Sequence, residues 1–396
     1  MILPDAAWRD QPDLVRLTEA LGSGDGLVRY VGGAVRDTLL GLPVSDLDLA
    51  TSLSPEEVSR RVRSIGLKAV PTGIAHGTVT AVLPHGPVEV TTLRRDVTTD
   101  GRRATVAFTD DWREDAARRD FTINALSADP VTGEIHDYFG GVADVALGLV
   151  RFIGDPLARI AEDHLRILRF FRFHARFGRG GVDRAGLMAC AARANDLMAL
   201  SRERIAQELL KLLDVTDPTS TVALMVEHGI FAPVLPEVDG DSVARLARLV
   251  AREGASGGDA VRRLAALLPA DPTIAEQVAA RLKLSNNQRK RLMLAAEPGE
   301  PEPARLLAHA IGVTAARDRL LLRSDDPTAG LAQLYGWTPP RLPIGGGDLV
   351  KLGLTAGPIV AATLHAIERR WVDEGFPEKA RVMAIADEEV AQVRRR

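Results

Sequence analysis

The stretch Asp46-Leu47-Asp48-Leu49 alternates acidic and apolar residues with the period of a β-strand. It follows shortly after an apolar run, Leu27–Val31, that ends in Gly32-Gly33. Side chains at i and i+2 of a strand leave the same face, so both carboxylates reach one site. The two glycines stand between a strand-like run and a helix-like segment, Ala34–Leu40, closed by Gly41. There they let backbone N–H groups come close to a phosphate, and Arg36 and Asp37 follow in the first helical turn. Two hard oxygen ligands side by side suit Mg²⁺, which usually takes one or two carboxylates plus substrate phosphates. A two-metal site of that kind activates an attacking hydroxyl and stabilises a departing pyrophosphate. Taken alone, an Asp-x-Asp also describes a solvated strand end, and a tight turn alone explains paired glycines. The order of the two features constrains the chain more than either does.

At 396 residues the chain is long enough for two to four domains, and with 46% apolar residues each has material for a core. Cys190 is the only cysteine, so no disulfide forms within the chain, and a zinc site would need histidines and carboxylates. Met1–Asp10 lacks the basic start and apolar stretch of a signal peptide, and no apolar run is long enough to span a bilayer. The cytoplasm is therefore the expected compartment. The net charge of −3 is not that of a general nucleic-acid binder. The charges are uneven, however. Arginines 151, 159, 166, 169, 172, 176, 179 and 184 crowd a segment whose own acids are only Asp155, Glu162, Asp163 and Asp183. Such a stripe suits the grip on one limited piece of nucleic acid, or is simply a solvated helix face.

The first 140 or so residues alternate strand-like and helix-like pieces. Pro55–Ile65 is an amphipathic helix with Ser54 as its N-cap, and Val70–Leu83 and Pro87–Leu93 read as strands. A polar loop, Arg94–Arg103, follows. From Asp155 onward the pattern is almost wholly helical, with Ser201 capping a helix through Leu213 and further helices at 219–230, 241–252, 259–268, 273–283 and 286–296.

Four groups of residues, in order, resemble the signature of class II CCA-adding enzymes and bacterial poly(A) polymerases, within the DNA polymerase β-like nucleotidyltransferase superfamily. The first is Val31-Gly32-Gly33-Ala34-Val35-Arg36-Asp37 with Asp46-Leu47-Asp48. The second, Arg118-Arg119-Asp120-Phe121-Thr122-Ile123-Asn124, is similar to the motif that binds ribose and triphosphate. The third, Glu162-Asp163-His164-Leu165-Arg166-Ile167-Leu168-Arg169, resembles the base-reading motif, and Ser201-Arg202-Glu203-Arg204-Ile205 the segment bracing the neck. The resemblance implies an α+β fold: a head (1–145) with a mixed sheet and helices, an all-α neck (146–215) holding the nucleotide-selecting motif, and a helical body and tail (216–396) that binds tRNA. It implies template-independent addition of CMP and AMP to the 3′ end of tRNA from CTP and ATP, with Mg²⁺ as cofactor. Asp46, Asp48 and Glu89, the last in Val88-Glu89-Val90, become the catalytic carboxylates, with the metal on Asp46 and Asp48. Gly32, Gly33, Arg36, Asp37, Arg119, Asp120, Asn124, Asp163, Arg166, Arg169 and Arg172 become the nucleotide-binding set.

Residues 159–176, laid out as one continuous helix, place Asp163, Arg159, Arg166 and Arg169 on one arc, with Phe170 and Phe173 among them, and Ile167, Phe171, Leu168 and Leu165 on the other. Cytosine and adenine both present an amine beside a ring-nitrogen acceptor, which an Asp and an Arg complement. Guanine and uracil present the opposite polarity and would leave buried polar groups unpaired, at about 1–3 kcal/mol each. Asp163 and Arg166 are the residues expected to make this choice; an ordinary i,i+3 ion pair is the alternative.

Within the family, Lys68-Ala69-Val70-Pro71-Thr72-Gly73-Ile74-Ala75-His76-Gly77 resembles the CCA-adding version, and the Gly-Arg-Arg-Phe type of sequence of the poly(A) polymerases is missing. The Arg94–Arg103 stretch resembles the loop that CCA-adding enzymes use in switching from C to A, or is a plain surface loop. His136-Asp137 has no second His/Asp cluster after it, which speaks against an appended phosphohydrolase. A tRNA-binding protein with an inert head is the reading from another class, and the intact aspartate pair argues against it. In the C-terminal half, the basic helix opened by Ser285 and the Gly347-Asp348…Gly353…Gly357-Pro358 segment are candidate tRNA contacts.

Overall fold

A computed structural model describes the chain except residues 74–75, 101–102, 255–256, 301–302 and 396, and describes the backbone but not the side chains of 96–100 and 103–106. It divides into two compact units, Met1–Pro236 and Glu237–Arg396.

The described residues of the first unit form nine strands: β1 (Val28–Val31), β2 (Asp48–Thr51), β3 (Lys68–Gly73), β4 (Thr78–Leu83), β5 (Gly86–Thr92), β6 (Arg94–Asp100), β7 (Arg103–Phe108), β8 (Ser127–Ala128) and β9 (Ile135–His136). Seven form one mixed sheet in the order β3-β4-β5-β2-β1-β8-β9, and β6 and β7 pair separately. Among the described residues only β2 and β5 run parallel, and their register sets Asp48 opposite Glu89. The alternation at 46–49 is realised from Asp48 on: Leu49 is fully buried and Thr51 is buried behind it, while Asp46 lies on the approach to the strand rather than in it. Behind the sheet, helix Pro55–Ser64 buries Val58 and Val62, and the Ser54 hydroxyl accepts the Glu57 N–H at 3.3 Å as its cap. Ser201 does occupy the N-cap position of helix Arg202–Leu213, but its hydroxyl makes no cap bond. The expected loop at 94–103 is strand on both sides of its tip, and the tip residues 101–102 lie outside the described residues.

A cluster of phenylalanines joins the sheet region to the helices that follow. Phe121 packs on Phe152 (ring centroids 4.9 Å) and Phe173 (5.4 Å), and Phe152 stacks on Phe170 at 5.5 Å. Phe121, Phe152 and Phe170 are buried. Burying rings of this size contributes on the order of 2–3 kcal/mol each, so the segment around Asp120 is fixed against helix Arg166–Phe177.

The helix drawn over 159–176 is in fact two. Helix Pro156–Glu162 stops at Asp163, whose backbone is extended (φ −152°, ψ 107°), and the next helix runs Arg166–Phe177. The Asp163 carboxylate accepts the Leu165 N–H at 3.1 Å, and its carbonyl accepts the Arg166 N–H at 3.0 Å. A short Asp side chain competes with the helix ladder in this way. Phe170 accordingly turns into the aromatic core instead of the cleft.

The second unit is helical. Its interior includes a buried ion network, in which Arg262 and Arg263 pair with Glu253 at 2.8 Å each and Asp318 accepts from Arg262 and Arg291. A separate apolar cluster near the C-terminus packs Leu349, Ile367, Trp371, Val382 and Ile385.

Candidate functional site

The first unit contains a cavity of about 560 Å³ at the end of β1 and β2, floored by Gly32, Gly33, Asp46 and Asp48 and roofed by helix Arg166–Phe177. That volume falls within the usual range of ligand sites, about 300–1,000 Å³. Every residue named above as nucleotide-binding or metal-holding lines it. Glu89 does not line it, but sits beside Asp48 in the β2–β5 register.

Gly32 takes φ +68°, which favours glycine, and a Cβ there would lie 3.2 Å from the Arg119 guanidinium. The turn therefore brings backbone close to the cavity and to Arg119 at once. Arg36 is buried, with its guanidinium held by Asp37 (2.7 Å) and by the Asn124 side-chain oxygen, and lying 4.1 Å over the Phe177 ring. Burial lowers its pKa, against the charge of Asp37. Asn124 in turn donates to Asp120 at 2.9 Å. Asp120 also accepts the Phe121 N–H at 2.8 Å and pairs with Arg169 at 2.5 Å. Burial pushes the Asp120 carboxyl up, but the Arg169 charge and these hydrogen bonds outweigh it and hold it below the usual carboxylate range. Arg119 is steadied by Asp115 at 3.2 Å.

Asp48 opens onto the cleft, yet protein around its carboxyl withholds hydration. That effect first, and the charge of Glu89 second, pushes its pKa up, with Asp46 adding and Arg119 opposing. The group is thus an acid-rich point facing a cation-rich roof.

Asp163 and Arg166 both line the cavity but do not pair with each other. Arg204, from helix Arg202–Leu213, donates to Asp163 Oδ2 at 2.7 Å. Arg166 donates to the carbonyls of Arg159 (2.9 Å) and Arg118 (3.1 Å) and pairs with Glu162. Arg172 pairs with Glu208 at 2.5 Å and lies 4.4 Å over the Phe173 ring. Burial lowers its pKa, against Glu208.

The arginine stripe is therefore not the free basic surface its own segment suggests. Arg151, Arg169, Arg172 and Arg176 pair with Asp144, Asp120, Glu208 and Asp37, acids from other parts of the chain. Sequence reasoning did not assign Arg204 to Asp163, Glu208 to Arg172, or Arg118 and Arg176 to the lining. The signals for Arg204 and Arg118 were their places in the bracing segment and beside Arg119, and Arg176 stands one helical turn after Arg172; Glu208 lies too far from Arg172 in sequence to be matched by spacing.

A poly A polymerase head domain profile matches residues 28–151, and that of a probable RNA and SrmB-binding site of polymerase A matches 182–241. The mitochondrial CCA tRNA nucleotidyltransferase 1 of Mus musculus is 34% identical over 383 residues, covering 92% of this chain and 87% of the relative. The CCA-adding enzyme of Lacticaseibacillus paracasei is 33% identical, covering 91% of this chain and 92% of its own. Among solved structures, the Bacillus stearothermophilus CCA-adding enzyme in complex with CTP superposes with a TM-score of 0.76 at 27% identity, covering 98% of this chain and all of that one. The Thermotoga maritima CCA-adding enzyme complexed with tRNA shares the fold, with a TM-score of 0.69 at 22% identity and coverage of 99% and 100%.

Proposed function

Because this chain belongs to the CCA tRNA nucleotidyltransferase family, we propose that it adds CMP and AMP to the 3′ end of tRNA, taking them from CTP and ATP and releasing pyrophosphate, with no nucleic-acid template. The observation that carries this reading is that one cavity is lined both by the Asp46/Asp48 pair and by Asp163 and Arg166. Chemistry and base choice then act on the same bound nucleotide.

A divalent cation, Mg²⁺ in our reading, fits Asp46 and Asp48. Both carboxylates line the cavity, and burial first, then the charges of Glu89 and Asp46, raise the Asp48 pKa, a cost that a bound cation would relieve. Two carboxylates leave the rest of its shell to substrate phosphates. When bound, such an ion lowers the pKa of the attacking 3′-hydroxyl and neutralises charge on the leaving pyrophosphate. Glu89, in register with Asp48 on the neighbouring strand, supports that carboxylate. The Gly32-Gly33 backbone and Arg119 meet the triphosphate, and Asp120 and Asn124 orient the ribose.

Base selection falls to Asp163 and Arg166. After accepting from Arg204 and Leu165, the Asp163 carboxylate keeps lone pairs for an amine, and Arg166 keeps N–H groups for a ring nitrogen. Their braces fix the direction of each, and preorganisation of that kind is what makes a polar mismatch costly.

Among the described residues no helix is long and apolar enough to cross a membrane. We place the activity in the cytoplasm, as a chain with a single, buried cysteine allows. The test is incubation with tRNA ending at its discriminator base, CTP and ATP, followed by 3′-end sequencing. Appended CCA supports the reading; a run of adenosines, or no addition, contradicts it.

A further inference from the structure

Most arginines discussed so far are neutralised by a carboxylate. One group in the second unit has no carboxylate at ion-pair distance among the described residues. Helix Gly240–Glu253 places Arg245, Arg248 and Arg252 at intervals of three and four, and helix Val313–Arg323 places Arg319 and Arg323 four apart. Residues at these spacings share a helix face. Arg245, Arg248, Arg252 and Arg323 line one hollow of about 70 Å³ with Leu249, Ala266, Leu321 and Leu322.

Two of the five have a structural explanation. Arg245 donates to the carbonyls of Ala266 (3.0 Å) and Leu267 (3.2 Å), and Arg252 to those of Leu321 (3.3 Å) and Ser324 (3.0 Å). Both thus cap helix C-termini, which favour cations. Carbonyls orient a guanidinium but do not cancel its charge. Asp326 feels the charge of Arg252 without coming to ion-pair distance.

Arg319 and Arg323 have no such explanation. Nε of Arg319, and Nε and Nη2 of Arg323, are buried with no hydrogen-bond partner among the described residues. Burial lowers the pKa of Arg323, and the charges of Arg245 and Arg319 lower it further. Buried unpaired donors are costly, and like charges held together add to that cost.

We propose that this hollow is an oxyanion site that takes a phosphate group, supplied by an RNA backbone or by a free phosphate ion. Guanidinium forks match phosphate oxygens in geometry and charge, and a phosphate in the hollow would meet the orphaned N–H groups of Arg323, with Arg319 adding positive charge from beside Arg323 and outside the lining. The RNA source rests on the tRNA reading given above; the site itself does not.

The experiment compares the full-length wild type with Arg319→Gln/Arg323→Gln in two arms. In the first, thermal midpoints are measured with inorganic phosphate and with chloride at matched ionic strength. Phosphate should raise the wild-type midpoint beyond the chloride control and leave the variant's unmoved. In chloride the variant should melt no lower than wild type, because it sheds like charge and gives up no hydrogen bond among the described residues. In the second arm, tRNA affinity is measured against salt. A several-fold weaker Kd in the variant, with a log–log salt slope shallower by about 1, assigns the site to an RNA phosphate. Unchanged tRNA binding, with the phosphate effect lost, assigns it to the free ion. An equal phosphate effect in both proteins, or none in either, overturns the proposal whatever the protein does to tRNA. Should the double variant not fold, Arg323→Gln alone, which also gives up no hydrogen bond among the described residues, carries the same comparison.

Discussion

Arg204 donates to the carboxylate of Asp163 at 2.7 Å, across a gap in which the expected continuous helix is broken. Asp163 is held on one carboxylate oxygen by the Leu165 N–H of its own turn and on the other by a helix that begins well after it in sequence. Its direction in the cavity is thus in part a tertiary property. A charge-assisted hydrogen bond of this kind is worth about 1.5–3 kcal/mol, and loss of the brace should appear in nucleotide selection before it appears in folding. Arg204→Ala is expected to raise KM for CTP and ATP about tenfold and to narrow the margin over UTP and GTP. Steady-state kinetics with each nucleotide check this, and unchanged selectivity would mean that Asp163 needs no external brace.

Asp46→Ala and Asp48→Ala are each expected to reduce addition by several orders of magnitude while leaving tRNA affinity within about twofold. Both carboxylates line the cavity at its floor, and the roof that carries the arginines is untouched by either change. Filter binding alongside nucleotide addition with Mg²⁺ present measures the two quantities. Full activity in both variants would remove these residues from the chemistry.

Asp120 gives a pH signature. Its carboxyl is held below the usual range by Arg169, with Asn124 and the Phe121 N–H, although burial pulls the other way. A carboxyl whose folded pKa is depressed contributes stability that is fully present above its unfolded value, about 3.9. That stability is lost as pH falls through the folded value. Asp120→Asn should therefore be less stable than wild type at pH 6, with the gap closing as pH drops below about 4. Thermal midpoints of the two proteins across that range test it; a gap that stays constant would mean the carboxylate charge is not what stabilises the segment.

Much of the fold was legible because it is local. The strand–Gly-Gly–helix turn, the period-two alternation at Asp48 and the helical pattern after Asp155 depend on neighbours a few residues apart. The break at Asp163 was missed because no glycine or proline marks it. The only local signal is an Asp able to accept from the N–H two residues on. The basic stripe was misread for a related reason. Asp37, Asp120 and Glu208 neutralise arginines far from them in sequence, and Asp144 pairs with Arg151 from just outside the segment. Counting charges within a segment cannot find such partners. What did survive is that residues of the first three motifs meet around one cavity, while Arg204 of the fourth braces Asp163.

The central claim is that protein side chains, and no template, choose the base. Asp163 offers only acceptors and Arg166 only donors, and both face the cavity that holds the Asp46/Asp48 pair. The most direct measurement is incorporation of each of the four nucleotides by wild type and by Asp163→Asn/Arg166→Ala, on tRNA ending at the discriminator base. Wild type should use CTP and ATP alone. The variant should retain some turnover, because the carboxylates on and beside β2 are untouched, and should lose most of its discrimination against UTP and GTP. If incorporation of all four nucleotides falls by one common factor, these residues serve the helix or the triphosphate, and the account of base choice is wrong.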